Sequence, residues 1–373
     1  MVVRSANSVI YDPRVEKIIS SLKKRYSVLA LGWDRQGVSE EITKEYMVKL
    51  KLFKLRTSFW KPSLSRMITR LLLFFPLFWS WVFINLLIYR PKVVHACDLD
   101  VILPCYVYKK LFRKKLIFDI FDRYAMVFIP PRYKTLYSFV NSIEEFMIFR
   151  TDVVIIAGGE KILQTFREYP KHGVVILNCP EDYYPDQNAI MLKTKRNLTL
   201  VYTGGIRKGR GLENLSYISN ELDNVIFVLA GPIMDKDVFD QIQASDNLKY
   251  EGVLQPIEAL GLEAGSDVMV ALYDPLVLWN KITLPNKLFE AMMCGIPIIT
   301  NVATDIVNET QCGMIVDYDN LIKMKEGIVK LRDNPELRKK LGDNGREAFL
   351  QKYNWNAMEQ KLYGVYGRLI LNQ

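Results

Sequence analysis

The chain has 373 residues, 50% of them hydrophobic and 24% charged, a composition that excludes disordered and fibrous proteins. Its 5 Cys form no C-x-x-C pair and its 2 His lie far apart, which argues against a zinc site, a disulfide scaffold and a His-rich metal centre. Scattered cysteines suit a reducing compartment, so we expect a cytoplasmic location. The length predicts two domains.

The positive charge is concentrated in the first half of the chain. Residues 1–185 carry 29 Lys and Arg against 17 Asp and Glu, whereas residues 186–373 carry 21 against 24. Seven basic residues and no acid lie between Lys49 and Arg70, and the next stretch, Leu71–Tyr89, is uncharged and rich in Phe, Trp and Leu. This order predicts that residues 49–89 attach the protein peripherally to an anionic membrane, on its inner face. A buried helix is the alternative, and nucleic acid is not expected as a partner because no binding motif occurs.

Apolar runs and helical patterns alternate along the chain. In the first half we predict helices at 15–24 and 133–149 and strands at 28–31, 93–95, 116–119, 153–156 and 174–177. A polar stretch follows at 181–196. The alternation then restarts with strands at 198–202, 225–230, 268–271, 296–300 and 314–316 and closes with helices at 335–352 and 355–371. This order predicts an α/β fold with two doubly wound, Rossmann-like domains.

A glycine-rich turn follows the strand predicted at 198–202. The segment YTGGIRKGRGLENL contains Gly204 and Gly205 and the three cations Arg207, Lys208 and Arg210. In open parallel sheets, ligands bind beyond the carboxyl ends of the strands and phosphates bind at helix N-termini. The turn is therefore predicted to bind two linked phosphates, although it matches neither a Walker loop nor the dinucleotide-binding glycine pattern.

A second segment, TLPNKLFEAMMCGIPII, predicts a helix that starts at Pro285 and ends at Gly295. Asn286 and Glu290 share one face of this helix at i, i+4 spacing. A carboxylate one turn from a phosphate-binding N-terminus can accept hydrogen bonds from ribose hydroxyls. The alternative is that Glu290 is a solvated helix residue with Lys287 as its i−3 partner.

Further candidates lie at other predicted strand ends. Gly231, in VLAGP, fits a wall of the ligand site that is lined by backbone. In the first half, His95, Asp119 and Asp122 are candidates to orient an acceptor, although a hydrogen-bonded core histidine explains His95 equally well. No carboxylate cluster suggests a metal, and no cofactor is expected, because the two D-x-D sequences, which begin at residues 98 and 317, are expected to cap helices.

Several motifs together resemble the retaining glycosyltransferases of the GT-B fold, in the family 4-like group, also described as glycosyl transferases group 1. They are IYDPRVEKIISSL at 10–22, VVHACDLD at 93–100, FDIFDRY at 118–124, YTGGIRKGRGLENL at 202–215, KYEGVLQPIEALGLEAGSDVMVALY at 249–273, LPNKLFEAMMCGIPII at 284–299 and NWNAMEQKLYGVY at 354–366. They follow the order of the family over nearly the whole chain.

The resemblance implies two domains that face each other across a cleft, with a nucleotide-diphosphate sugar bound mainly by the second. The expected boundaries are 1–185 for the acceptor-binding and membrane-associating domain, 186–353 for the donor domain and 354–373 for a helix that returns to the first domain. Arg210 takes the place of the basic residue at the diphosphate, and Glu290 that of the ribose-binding carboxylate. The backbone of Asn286, Lys287 and Leu288 is expected to meet phosphate or sugar.

The chain departs from the family pattern at three positions. Ile282 stands where the family often has a Glu, Phe121 where it often has a His, and Cys97 in the second position of an HxH-like segment. The predicted function is metal-independent hexosyl transfer, with retention, to a lipid-linked saccharide or lipid phosphate. A catalytically silent subunit that binds nucleotide sugar or lipid, and a nucleotide-sugar epimerase of the same fold, are the alternatives.

Overall fold

The computed structural model divides the chain into two compact units. The first contains Met1–Asn178 and Met358–Gln373, and the second contains Cys179–Ala357, where the sequence predicted boundaries at 185/186 and 353/354. The structure describes residues 1–5, 9–35, 37, 43–44, 46–55, 64–130, 132–158, 162, 164–183 and 197–371. Most of the polar stretch predicted at 181–196 lies outside these residues.

The first unit is built on a sheet of seven parallel strands. They are β1 (Val2–Arg4), β2 (Leu29–Asp34), β3 (Lys49–Lys54), β4 (Val93–Cys97), β5 (Lys115–Ile120), β6 (Val153–Ile156) and β7 (Gly173–Val175). Their order across the sheet is β3-β2-β1-β4-β5-β6-β7. The direction of winding therefore reverses between β1 and β4, which is the topological switch point of this unit.

Helices cover both faces of this sheet. They are α1 (Pro13–Lys23), α2 (Leu64–Tyr89), α3 (Leu99–Phe112), α4 (Tyr124–Phe128) and α5 (Lys134–Ile148). Because parallel crossovers are right-handed, α2, α3 and α5 lie on one face and α1 on the other. The inner side of α2 packs Phe78, Val82 and Leu86, all fully buried, against the sheet.

Residues 49–54 form a strand that the sequence analysis did not predict. Lys49, Lys51 and Lys54, interpreted as part of a basic run, lie on the edge strand β3, whose sequence KLKLFK alternates with the period of a strand. Phe53 on this strand contacts the ring of the buried Trp33 on β2. Three strands, β1, β3 and the second unit's Leu248–Tyr250, were not predicted.

The second unit repeats the architecture with six parallel strands. They are β8 (Leu198–Thr203), β9 (Val225–Ala230), β10 (Leu248–Tyr250), β11 (Val268–Ala271), β12 (Ile298–Thr300) and β13 (Gly313–Ile315), in the order β10-β9-β8-β11-β12-β13. Its helices are α6 (Leu212–Asn220), α7 (Lys236–Ile242), α8 (Pro256–Ala264), α9 (Asn286–Cys294), α10 (Thr304–Thr310), α11 (Leu321–Asp333) and α12 (Pro335–Gln351). The predicted α/β fold with two doubly wound sheets is confirmed.

The last helix, α13 (Trp355–Leu371), belongs mostly to the first unit. The hydroxyl of Tyr363 donates to the carbonyl of Ser21 on α1 at 2.9 Å, and the Tyr366 hydroxyl lies 3.0 Å from Nδ1 of His95 on β4. These contacts join the end of the chain to the first sheet. Within the part of the chain that the structure describes, no helix has the length and hydropathy that crossing a bilayer requires.

Candidate functional site

The candidate site lies where the winding of the second sheet reverses, between β8 and β11. In open α/β sheets a crevice forms at this point, outside the carboxyl ends of the two strands. β8 leads into the glycine-rich turn, and β11 leads to Tyr273. The two segments meet there, because the guanidinium carbon of Arg210 lies 4.1 Å from the centre of the Tyr273 ring. The site is thus built by the topology of the sheet.

Glycines give the turn after β8 its shape. Gly204, Gly209 and Gly211 have φ values of 142°, 77° and 65°, in the region that other residues rarely adopt. Gly211 directly precedes α6, and a Cβ there would lie 2.8 Å from Cβ of Leu272. The strand that the sequence predicted at 198–202 and the turn after it are therefore both present, and α6 follows them. At Gly205 a Cβ would lie 2.5 Å from the sulfur of Met234, whose side chain is exposed and can move aside.

Three cations project from this turn, in two different environments. Arg207 and Lys208 are exposed, whereas Arg210 is half-buried. Burial lowers the pKa of Arg210 from its ordinary value, and the neighbouring Tyr273 opposes the shift. One nitrogen, Nη1 of Arg210, is buried and has no hydrogen-bond partner among the described residues. A buried guanidinium N–H without a partner favours an anionic ligand, since leaving it unpaired is unfavourable.

The helix predicted after Pro285 is α9. Pro285 precedes its first residue, and Gly295, with a φ of 65°, ends it. The side chain of Leu288 is fully buried, and its N–H donates to the carbonyl of Pro285 at 3.0 Å. Asn286 is exposed at the first turn. The remaining N–H groups of this turn and the positive end of the helix dipole are the features that suit a phosphate.

The side chain of Lys287 lies at the glycine turn, whereas the sequence analysis predicted a ligand contact only for its backbone. A Cβ at Gly204 would lie 2.8 Å from Nζ of Lys287, and this Nζ lies 4.7 Å from the centre of the Tyr202 ring. Burial lowers the pKa of Lys287, while the carboxyls of Glu290 and Glu263 raise it. A lysine ammonium therefore joins the arginines at the same strand end.

Glu263 is a member of this site that the sequence analysis missed. It lies on α8, is 2% exposed, and its Oε1 accepts a hydrogen bond from the hydroxyl of Thr203 at the end of β8. Its Oε2 is buried without a partner among the described residues. Burial raises the pKa of Glu263 well above its ordinary value, and the nearby Glu290 raises it further. A single acid in the otherwise apolar end of α8 was the signal available in the sequence.

Glu290, the predicted ribose-binding residue, is half-buried on α9. Its charge acts on Lys287, whose ammonium lies at the glycine turn, and on Glu263. The structure thus brings Arg210, Lys287 and Glu290 to one strand end. Contact of Glu290 with a ribose remains a prediction.

Gly231 has a structural role in this arrangement. Its φ is 134°, and a Cβ would lie 2.2 Å from the carbonyl oxygen of Gly204. Its N–H donates to the carbonyl of Gly252, and its carbonyl accepts from the Tyr250 hydroxyl, both at 2.8 Å. Both backbone groups of Gly231 are therefore used within the protein, and the residue allows β9 to pack against the turn.

Two of the predicted acceptor residues, His95 and Asp119, form a buried network in the first unit. Arg14 Nη2 lies 2.9 Å from Asp119 Oδ1, and His95 Nε2 lies 3.2 Å from Asp119 Oδ2. His95 Nδ1 lies 3.0 Å from the hydroxyl of Tyr366, and both His95 and Asp119 are 0% exposed. This is the hydrogen-bonded core histidine that the sequence left as an alternative. The network joins β4 and β5 to α1 and α13.

The described residues contain one group of possible metal ligands, and two of its three members belong to this network. His95, Cys97 and Asp119 place ligand atoms within 4.8 Å of one another. Although burial opposes ionisation, Arg14 and His95 lower the pKa of Asp119, whereas burial raises the pKa of Cys97 well above its ordinary value. A protonated thiol and a carboxylate already paired with Arg14 are poor metal ligands.

Asp122 is the predicted acceptor residue that stays partly accessible. Burial raises its pKa to about 6, and the neighbouring Arg4 opposes the shift. Arg4, at the end of β1, forms ion pairs with Asp12 and Asp98. Asp98 directly precedes α3 but does not cap it, because its Oδ1 accepts the N–H of Phe121 at 2.9 Å. The switch point of the first unit is therefore lined by carboxylates.

Comparisons with known proteins agree with this architecture. Residues 214–363 match a family described as glycosyl transferase-like. An uncharacterized glycosyltransferase of Methanocaldococcus jannaschii is 22% identical over 196 residues, which cover 50% of this chain and 49% of that protein. The chain thus spans about half the length of this curated relative.

Solved structures resemble the chain over its whole length. Sucrose-phosphate synthase from Thermosynechococcus elongatus has a TM-score of 0.79 at 15% identity and covers 100% of this chain and 99% of its own. HepE from Anabaena, solved in complex with UDP-glucose, has a TM-score of 0.72 at 14% identity. The match covers 98% of this chain and 99% of the HepE chain. The fold is that of the GT-B glycosyltransferases, as the motifs predicted, and residues 214–363 are similar to the glycosyl transferase-like family.

Proposed function

We propose that this protein transfers a sugar, a hexose, from a nucleotide-diphosphate sugar to an acceptor hydroxyl, with retention of the anomeric configuration. The observation that carries the proposal is the convergence of Arg210, Lys287 and the start of α9 at the switch point of the second sheet. Cations and helix N-termini at this position suit a diphosphate. The complex of HepE with UDP-glucose supports a donor of this class.

In the proposed mechanism, the second unit stabilises the leaving diphosphate. Negative charge builds on the phosphate as the glycosidic bond breaks, and prearranged cations lower the free energy of that transition state. Arg210 and Lys287 supply such charge from partly buried positions, with Arg207 and Lys208 beside them. Because these side chains can neutralise the leaving group, we infer that no metal is needed and that transfer persists in EDTA.

On the acceptor side, we assign Asp122 rather than Asp119 or His95 to contact the acceptor. Asp122 is half-buried, whereas the other two are enclosed in the Arg14 network. With a pKa of about 6, its carboxyl is mostly ionised at neutral pH and can accept a hydrogen bond from a hydroxyl. The acceptor hydroxyl loses its proton late, to the leaving phosphate, so the mechanism needs no strong base.

A screen against activated sugars tests the donor assignment. We expect a thermal shift with one of the UDP, GDP, CDP or ADP sugars, since a ligand at about 100 times its dissociation constant adds about 2.7 kcal/mol to the stability of the native state. Transfer from that donor, followed by NMR of the anomeric proton in the product, tests retention. Failure of all four donor classes to shift the transition would contradict the proposal.

One observation favours a second candidate, a catalytically silent subunit that binds nucleotide sugar. Phe121 stands where the family often has a His, and the guanidinium groups of Arg4 and Arg14 lie 4.2 and 5.1 Å from its ring. The residue is thus fixed as a packing element, which cannot transfer a proton. Binding of a nucleotide sugar without hydrolysis or transfer to any tested acceptor would favour this candidate over an enzyme.

We further propose that the first unit lies on the cytoplasmic membrane face and that the acceptor is a lipid-linked saccharide or lipid phosphate. The outer side of α2 exposes apolar residues at helical spacing, with Leu77 57%, Ile84 53% and Ile88 62% exposed. Nζ of Lys49 and of Lys51 lie 4.9 and 5.1 Å from the Tyr89 ring, which places cations of β3 beside the end of this helix. An apolar helix face bordered by cations suits an interfacial contact.

Vesicle co-sedimentation tests this contact. Binding to vesicles that contain phosphatidylglycerol is expected to be only partly reversed by salt, because salt screens the cations but not the apolar face. Leu77→Ser with Ile84→Ser should weaken binding about tenfold or more. The matched control, Ile322→Ser with Leu350→Ser, changes exposed apolar residues of the second unit. Equal loss in both double variants would contradict the assignment of α2.

A further inference from the structure

A second concave site lies on the first unit, at the amino ends of β5, β6 and β7. This is the edge of the sheet opposite the one that carries Asp122 and Arg4. Its cavity has a volume of about 710 Å³. The lining includes five Lys and Arg residues but one carboxylate, Asp152; the cations are Lys109, Lys115, Arg150, Lys171 and Arg368. Nothing in the nucleotide-sugar mechanism uses this cavity.

The single carboxylate is already neutralised. Oδ2 of Asp152 lies 2.9 Å from Nζ of Lys109 and accepts the N–H of Leu116 at 2.8 Å. Within the residues that the structure describes, the other four cations of the cavity have no carboxylate partner. Several unpaired cations in a concave wall concentrate positive potential and attract an anion.

The surroundings of the cavity are apolar and exposed. Phe149 lines it and is 46% exposed, and the ring of Phe146 lies 4.9 Å from the guanidinium carbon of Arg150. Helix α3, which carries Lys109, ends with the exposed Leu111 and Phe112. Because crossover helices run antiparallel to the strands, the C-terminal ends of α2, α3 and α5 all lie at this edge. A fully water-soluble anion would gain nothing from these apolar side chains.

We propose that this cavity binds the phosphate of an anionic phospholipid headgroup, while the neighbouring Phe and Leu side chains contact the acyl region. The inference rests on the membrane association proposed above and adds a lipid selectivity to it. The face formed by α2, α3 and α5 lies against the lipid in this arrangement, so the cavity sits at the level of the headgroups. The bound lipid is distinct from the acceptor, since the carboxylate cluster with Asp122 lies at the opposite edge of the sheet.

Flotation of the full chain with vesicles tests this proposal. The probes are phosphatidylcholine vesicles with and without about 20% phosphatidylglycerol. Near an anionic surface, each Lys adds about 1 kcal/mol to the free energy of binding. The cavity variant is Lys115→Gln with Lys171→Gln, and the matched control is Lys339→Gln with Lys340→Gln, two exposed lysines of α12. The cavity variant should lose about 30-fold in affinity for the anionic vesicles, and the control should not.

The outcomes separate this proposal from the membrane association on which it rests. Wild-type protein that binds anionic vesicles together with a cavity variant that binds them equally well would overturn the headgroup site and leave the α2 contact in place. Release of the wild type by millimolar inorganic phosphate would assign the cavity to a soluble anion and also overturn it. Wild-type protein that binds neither kind of vesicle would remove the membrane association itself, and the headgroup site with it.

Discussion

The switch points of the two sheets occupy equivalent places in the fold but differ in how their charges are paired. At the end of β1, Arg4 is held by Asp12 and Asp98. At the turn after β8, Arg210 lies on the ring of Tyr273 and keeps a buried nitrogen without a described partner. The topology brings charged residues to both crevices, but only unpaired cations remain available to bind an anion. We therefore assign the diphosphate to the second unit and the acceptor hydroxyl to the first.

The largest effect is expected from breaking the paired network of the first unit. Asp119→Ala leaves the buried Arg14 without its carboxylate, and removing one partner of a buried ion pair destabilises a protein by about 3–5 kcal/mol. Urea unfolding measures this loss. Nucleotide affinity should be unchanged at temperatures where the variant is folded.

Asp122→Asn is the matched change on the accessible side of the same strand end. It should not destabilise the protein, because burial disfavours the ionised carboxyl, as its raised pKa shows, and Asn is neutral and of the same size, while it slows transfer to the acceptor. Unchanged stability in Asp119→Ala together with unchanged transfer in Asp122→Asn would contradict both roles, the structural role of Asp119 and the acceptor contact of Asp122.

In the second unit, Glu290→Gln should weaken donor binding by about 10- to 100-fold. A charge-assisted hydrogen bond is worth about 1.5–3 kcal/mol, and the amide keeps the shape of the side chain. Calorimetric titration with the nucleoside diphosphate selected by the sugar screen measures the change. Glu336→Gln, at the exposed start of α12, is the control. Equal affinity of the Glu290 variant and wild type would remove Glu290 from the site.

Glu263→Gln tests whether Glu263, in the same crevice, is protonated in the folded protein. Because the native pKa of Glu263 is raised, the folded state holds a proton that the unfolded state loses above its ordinary pKa of about 4.3. Stability should therefore fall as the pH rises between these two pKa values, by about 1.4 kcal/mol for each pH unit. The Gln variant should lack this contribution, so urea unfolding from pH 4 to pH 8 should show a flatter profile. Parallel profiles would mean that Glu263 is ionised in the folded protein.

The features that the sequence predicted correctly have local signals. Buried strands such as β8 and β11 are short apolar runs, and α9 is bounded by Pro285 and Gly295. The turn after β8 has positive φ values at three glycines, so the glycines in its sequence were enough to predict a tight turn. These signals were sufficient for the fold and for the strand, turn and helix that form the candidate site.

The features that the sequence did not reveal depend on tertiary contacts. Glu263 reaches the site from α8 through Thr203, and no spacing along the chain indicates that contact. Asp119 lies near the end of β5 as predicted, whereas His95 is the middle residue of β4, and whether these side chains face the crevice or Arg14 depends on how the helices pack. The strand β3 was hidden because its alternating lysines form part of a longer basic run.

The central claim is that Arg210 binds the diphosphate at the switch point of the second sheet. The most direct measurement is calorimetric titration of wild type, Arg210→Ala and the surface control Lys325→Ala with the nucleoside diphosphate and with its parent nucleoside. The account predicts that Arg210→Ala weakens diphosphate binding by about 10- to 100-fold, since a hydrogen bond to a charged group is worth about 1.5–3 kcal/mol, with nucleoside binding and melting temperature unchanged. Lys325, which pairs with Glu221 on the surface, should be neutral. Equal diphosphate affinity in Arg210→Ala and wild type would contradict the account.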